Sequence, residues 1–228
     1  MKIIHQIFIS ENNVSPSSTI ANRISAVKQL YGKDYRHYLY TNEECREEVK
    51  KLSPSICKFY DKLLPYAFKA DLARYVMLYL HGGYYYDVSV VPEYRFESLN
   101  DSLLYEGIPS KLESNFLPLI ENNFMFFRYP EHPFLFKAIE KTLSNIHCKK
   151  YGRHPLDITG PIMLGDLDSS SVTLGKVIRQ SDKQKASFIN DRIHYFHKPK
   201  EHQARLDSLG CEGTNNYEEM WFKGQVFS

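Results

Sequence analysis

The chain has 228 residues, 43% of them hydrophobic and 25% charged, which suits one well-packed α/β domain and is short for two. A formal net charge of +2, with no basic stripe interleaved with aromatics, argues against a nucleic-acid partner. No apolar run approaches the ~20 residues that span a bilayer, and the start Met1-Lys2-Ile3-Ile4-His5 is too short and too broken by His5 for a signal peptide, so the expected location is cytoplasmic, compatible with peripheral contact at an inner membrane.

In chain order, Ile3 to Ile9 reads as a strand. Ser18 to Tyr31 reads as a helix with Ile20, Ile24, Val27 and Leu30 on one face. Tyr35 to Tyr40 is a second strand and Glu43 to Leu52 a polar helix. From Tyr66 to Leu80 the residues Phe68, Leu72, Tyr75, Val76, Tyr79 and Leu80 recur at helical spacing. Ala67, Met77 and Leu78 fill the opposite side, so this helix is apolar nearly all round and is expected to be buried. Pro65 suits its first turn and Gly82 its left-handed end. Inside it Asp71 and Arg74 lie three apart and can reach each other. Buried charges need partners, so both a structural ion pair and a functional pair are open readings.

Tyr84 to Val91 is the next expected strand, with Tyr85, Asp87 and Ser89 on one face and Tyr84, Tyr86, Val88 and Val90 on the other. Pro92 ends it. An Asp at the carboxyl end of such a strand faces the crevice where open α/β sheets bind ligands. Leu103 to Tyr105 and Asn123 to Phe127 follow as strands, and Pro133 to Ile146 as a helix carrying Phe136, Ile139, Leu143 and Ile146 at helical spacing. This alternation implies an α/β fold around a largely parallel sheet flanked by helices. The tail after Ser187, rich in His, Lys and Asn, is expected to close over the site.

Cys45, Cys57, Cys148 and Cys211 lack CxxC or Cys/His zinc spacing and read as free thiols of a reducing compartment. The 17 Tyr and 14 Phe suit sugar and base stacking, and equally an ordinary core. The chain has no G-x-x-x-x-G-K-[ST] or G-x-G-x-x-G loop, no G-x-S-x-G elbow and no H-E-x-x-H helix, which weighs against nucleotidyl-transferase and hydrolase readings.

In the run Ala70-Asp71-Leu72-Ala73-Arg74-Tyr75, then Gly82-Gly83-Tyr84-Tyr85-Tyr86-Asp87, the residues Asp71, Arg74, Tyr75, Gly82, Gly83, Tyr85 and Asp87 match the pattern small-x-x-D-x-x-R-Y and G-G-hydrophobic-Y-hydrophobic-D-x-D. It resembles the DXD-containing sugar-binding region of GT-A glycosyltransferases, within the bacterial and fungal group, glycosyltransferase family 32-like, that includes the clostridial glucosylating toxins. Lys2 to Ile9 resembles that family's opening strand and Tyr40-Thr41-Asn42 the end of its second. Asn122-Asn123-Phe124-Met125, His132-Pro133-Phe134 and Thr159-Gly160-Pro161 fall in the family's order.

The resemblance implies a single GT-A domain, with residues 1–95 as its nucleotide-sugar-binding half and 96–228 as its acceptor-binding half and closing loop. It implies a UDP-linked donor whose base lies against Ile7 and Phe8, with Asn42, Tyr85 and Tyr86 lining the donor site. Asp71, Arg74 and Asp87 would be the catalytic set, Asp71 holding sugar hydroxyls, Arg74 supplying fixed positive charge and Asp87 lying near the ribose. A glycan or lipid-linked glycan is the implied acceptor, in bacterial capsule or lipopolysaccharide synthesis, with retention of anomeric configuration. A divalent metal, Mn2+ or Mg2+, would be held by Asp87, Ser89 and Asn215. Ser89 stands where the family carries the second carboxylate, and a neutral hydroxyl is a poorer ligand for a hard cation. A catalytically degenerate nucleotide-sugar or glycan-binding module is therefore the rival reading. His194, His197 and His202 match no metal spacing, Lys198, Lys200 and Arg205 read as solvent-facing, and Asn216 and Trp221 resemble the family's carboxyl-terminal loop.

Overall fold

The computed structural model describes residues 2–92, 95, 97–98, 100–107, 119–181, 184–189, 192–197 and 215–228, with the backbone alone at 91, 177–181, 184–189 and 192–197. Its amino-terminal part alternates strand and helix. Strand β1 spans Ile3–Ile7, helix α1 Ser18–Tyr31 and strand β2 Arg36–Tyr40. Helices α2 (Asn42–Leu52), α3 (Pro54–Lys62) and α4 (Tyr66–His81) lead into strand β3, Gly83–Tyr86. Strands β4 (Val91–Pro92), β5 (Ser102–Glu106) and β6 (Ile120–Phe127) precede helices α5 (Pro133–His147) and α6 (Pro161–Gly165). Strands β7 (Leu174–Ser181), β8 (Gln184–Ile189) and β9 (Arg192–His197) and helix α7 (Tyr217–Phe222) complete the described elements.

All the strands belong to one sheet, in the order β2-β1-β3-β6-β5-β7-β8-β9-β4. The fold is a mixed α/β sheet flanked by helices, as expected. Parallel pairing occurs at β1–β2, β1–β3 and β5–β7, and β6 joins the first block to the second by antiparallel pairing on both sides. Because β2, β1 and β3 run the same way, the residues leaving their carboxyl ends gather at one edge: Phe8, Thr41 with Asn42, and Asp87.

Local chemistry explains most boundaries. Thr41 and Glu44 form a reciprocal capping box at the start of α2. Helix α3, absent from the sequence reading, begins with Ser53 as cap and Pro54 in its first turn, a pair that reads as a break but also suits a helix start. Helix α4 ends where expected, at Gly82 with φ of 63°. Nine of its residues, Asp71 and Arg74 among them, are buried.

One expectation needs correction. The strand expected over Tyr84 to Val91 stops at Tyr86. Asp87 instead opens a tight turn in which the Ser89 amide donates to Asp87 Oδ1 at 2.9 Å and the Val90 amide to the Asp87 carbonyl at 2.8 Å. Asp87 and Ser89 therefore do not share a strand face. Pro92 is the last residue of the separate strand β4, where it pairs with Phe196 of β9 in an edge position that needs no proline N–H.

The turn also shapes the whole sheet. Only Asp87 to Val90 separate β3 from β4, although β4 occupies the far edge. Five steps of chain from Tyr86 to Val91 reach at most about 18 Å, less than six strand spacings of about 4.8 Å laid flat. The sheet must curl until β9 and β4 return beside β3. The β9 backbone thus lies against the segment just beyond Ser89, with His197 in register with Val91. One large core lies between the sheet and the α2–α6 layer, and a second, rich in tyrosine and phenylalanine, lies on the face that carries α1. Among the described residues no helix is long and apolar enough to cross a membrane.

Candidate active site

Helix α4 runs back toward β3, so its first half lies at the sheet edge where Asp87 emerges. Arg74 sits at the centre. Its Nε donates to the Ala70 carbonyl at 3.2 Å and its Nη1 to the Asn122 carbonyl at 2.6 Å. Its Nη2 lies 3.1 Å from Asp71 Oδ1 and 4.0 Å from Asp87 Oδ2. The guanidinium also rests on the Tyr85 ring, 4.5 Å from its centroid. Burial works against this charge, but Tyr85, Asp71 and Asp87 outweigh it and hold Arg74 above its ordinary value.

Both open readings of the Asp71–Arg74 pair thus meet in one geometry, since the ion pair exists and points at Asp87. The Asp71 carboxylate is held at both oxygens. Asn122 Nδ2 donates to its Oδ1 at 2.8 Å and Thr159 Oγ1 to its Oδ2 at 2.6 Å. Burial pushes its pKa up, while Arg74, Thr159 and Asn122 pull the other way and Asp87 adds a like charge. Asp87 is the accessible member: its side chain is 28% exposed, against 10% for Asp71 and 5% for Arg74.

Phe8 is half-buried at the same edge, packed with Val88 against Ile20 and Ile24 of α1. This is an apolar shelf beside Asp87. Ile7 lies in the main core. Asn42 opens α2 and accepts from the Tyr60 hydroxyl at 2.9 Å. Tyr85 and Tyr86 are both fully buried and face opposite sides of the sheet. Tyr85 backs Arg74, whereas Tyr86 bonds to Tyr31 in the second core.

Asn215 is engaged at the start of α4. Its Oδ1 accepts from the Tyr66 amide at 2.7 Å and its Nδ2 donates to the Leu64 carbonyl at 2.8 Å, fastening the tail to the start of α4. Asn216 caps α7, and the Trp221 indole donates to the Tyr151 carbonyl at 2.6 Å. The side chains of His194 and His197, and all of Lys198, Lys200, His202, Arg205 and Cys211, lie outside the described residues. Cys45, Cys57 and Cys148 are free thiols.

Among the described residues no three His, Cys, Asp or Glu side chains converge to hold a metal ion. The donor set at the turn is one half-exposed carboxylate, Asp87, beside Ser89, which is only 2% exposed. Such a set fits a hard cation that takes most of its oxygens from a bound diphosphate, the manner in which magnesium is commonly held. It does not fit a cation caged by protein alone.

Comparison with known proteins finds likenesses over part of the chain. Residues 19–106 match the family described as glycosyltransferase sugar-binding region containing DXD motif, a stretch that includes Asp71, Arg74, Asp87 and Ser89. The fold is likewise that of a glycosyltransferase: the chain superposes on the PaToxG glycosyltransferase with a TM-score of 0.51 at 17% identity, covering 72% of this chain and 67% of that one.

Individual relatives are viral and fungal. An uncharacterized glycosyltransferase of Acanthamoeba polyphaga mimivirus is 37% identical over 90 residues, 39% of this chain and 35% of that protein. Inositol phosphoceramide mannosyltransferase 3 of Schizosaccharomyces pombe is 32% identical over 139 residues, 60% of this chain and 36% of that protein. A mannosyl phosphorylinositol ceramide synthase of Saccharomyces cerevisiae is 30% identical over 135 residues, covering 58% of this chain and 33% of that protein. The chain thus spans about a third of the length of the curated relatives it matches.

Sequence reading named Asn122 and Thr159 only as members of ordered motifs. Their bonds to Asp71 bridge 51 and 88 residues of chain, so no local spacing could have revealed them.

Proposed function

We propose that this chain transfers a sugar from a nucleoside-diphosphate donor to a hydroxyl of a glycan or lipid-linked glycan. The observation that carries the reading is Arg74 set between Asp71 and Asp87, at the carboxyl edge of β3, inside the stretch that matches a sugar-binding family. The donor base lies on the Phe8–Val88 shelf and the diphosphate faces Asp87 and Arg74. In the reaction the bond from the anomeric carbon to the phosphate oxygen breaks and a bond to the acceptor oxygen forms. The acceptor proton leaves with the departing diphosphate, and the configuration at the anomeric carbon is retained. Arg74 cannot deprotonate in any ordinary pH range, so it stabilises the charge that develops on the leaving group. Asp71 accepts hydrogen bonds from sugar hydroxyls. A divalent cation resting on Asp87 would neutralise further diphosphate charge when bound.

The donor is a UDP-sugar or, following the printed names of the fungal relatives, an activated mannose. The same names support a lipid-linked acceptor, and surface-glycan synthesis is the process these features suit. Turnover of a panel of UDP- and GDP-sugars, with and without Mn2+, tests the reading. One donor is expected to turn over in wild type and to be lost in Asp87→Ala. The occupancy of position 89 by serine favours a second reading, a nucleotide-sugar-binding module without catalysis. Binding without turnover in wild type across a range of acceptors, with turnover gained in Ser89→Asp, would establish that second reading instead.

A further inference from the structure

We propose that Thr159 and Asn122 are positioning residues that aim the Asp71 carboxylate at the donor sugar, an inference that rests on the transferase reading above. Asp71 belongs to α4, Asn122 to β6, and Thr159 to the turn that enters α6. Each oxygen of the carboxylate receives at least one bond, Oδ2 from Thr159 at 2.6 Å and Oδ1 from both Asn122 at 2.8 Å and Arg74 at 3.1 Å. Of roughly four lone-pair directions on an ionised carboxylate, three are taken. The remaining one is left for the small part of the group that meets solvent.

The positioning groups are themselves held. The Tyr75 hydroxyl donates to the Thr159 carbonyl at 2.6 Å and accepts from Asn122 Nδ2 at 3.1 Å. Asn145 of α5 donates to the Ile158 carbonyl at 2.8 Å, pinning the same turn from another side. Thr159 is 0% exposed and Asn122 7%, so neither can touch a ligand broadly and both act through Asp71. Three parts of the fold, α4, β6 and the turn entering α6, meet at one carboxylate, and Arg74 links it to Asp87. That is what preorganisation requires: donors that hold the acceptor still, so that orientation costs nothing at the moment of reaction. The charged and titratable groups facing Asp71 are Arg74 and Tyr75 on its own helix, and Tyr85 and Asp87 from the strand and turn beside it.

Thr159→Val keeps the shape and removes the hydroxyl, and Thr159→Ser keeps the hydroxyl. Three properties would be followed: turnover of the donor against pH, UDP binding by calorimetry, and titration of the Asp71 carboxyl carbon by NMR. Thr159→Val is expected to turn over donor about tenfold more slowly, with UDP binding unchanged. Its acid limb and the Asp71 titration should both move to higher pH, because a donor to the ionised form is gone. Thr159→Ser should restore all three. Wild-type turnover and titration in Thr159→Val, or equal losses in the serine and valine variants, would overturn the proposal. If Thr159→Val does not fold, the isosteric Asn122→Asp variant takes its place, since it turns a donor into an acceptor facing Asp71. An upward Asp71 titration is expected there, and its absence would be equally fatal. Lack of turnover in wild type would sink the transferase reading, whereas the NMR titration still decides whether Thr159 and Asn122 hold Asp71.

Discussion

Arg74 separates stability from chemistry at this site. It is the cation between two carboxylates, and its loss leaves Asp71 buried beside Asp87 with no compensating charge. Removing one partner of a buried pair typically costs about 3–5 kcal/mol, so Arg74→Met is expected to lower the unfolding free energy by that amount, read from denaturant melts. Asp87 is partly solvated, and Asp87→Asn should cost less than about 1 kcal/mol while abolishing turnover. Equal stability losses in the two variants would refute the division of roles. His5 offers a second test. Buried between the Tyr40 hydroxyl and the Gly82 carbonyl, it is held neutral, with its pKa lowered by burial to about 4. Between the unfolded value of 6.5 and about 4 the unfolded chain takes up a proton that the folded one refuses. Stability therefore falls with pH across that window, by about 3 kcal/mol from this residue. Urea melts of wild type and His5→Gln from pH 7 to 4 should show a shallower decline in the variant.

At the scale of elements, the junction from α4 to β3 decides where the site lies. Gly83 has φ of 96°, and a Cβ there would come within 2.6 Å of the Ile3 carbonyl oxygen. The glycine lets β3 lie directly beside β1 and so carries Asp87 to the edge where Phe8 and Asn42 emerge. Gly83→Ala is expected to destabilise by about 2 kcal/mol or more, since it combines backbone strain with a clash, and to impair donor binding as well. Thr41→Ala, which removes only the capping box of α2, should cost about 1 kcal/mol and leave donor binding intact. Calorimetric melts with parallel nucleotide titrations would distinguish them. A Gly83→Ala variant as stable as wild type would contradict the packing argument.

For the whole molecule, the curl of the sheet and the docking of the tail matter most. Of the tail after Ser187, β9 pairs with β4, the strand that follows the Asp87 turn. The last described segment clasps α4: Asn215 bonds the backbone at Leu64 and Tyr66, and Tyr217 and Trp221 pack on the main core. Asn215→Ala is accordingly expected to lose about 1–3 kcal/mol of stability with no change in the metal dependence of turnover. A selective fall in metal affinity in that variant would instead support a metal role for Asn215.

The sequence by itself determined the elements whose apolar periodicity is strong, and α1, α4 and α5 lie within a residue of their expected limits. It also singled out Asp71, Arg74 and Asp87, because two charges within an apolar helix and one after a tyrosine-rich strand are costly unless used. Only the tertiary structure decided where the strand stops, since Tyr84 to Val91 has strand propensity throughout while the Asp87 side chain favours a turn closed by the Ser89 amide. Likewise only the fold brought Asn122 and Thr159 to Asp71, Tyr86 to Tyr31 and Asn215 to the start of α4. Periodicity reports which face of its own element a residue occupies. The partner across that face comes from residues tens to more than a hundred positions away, and only packing brings them together.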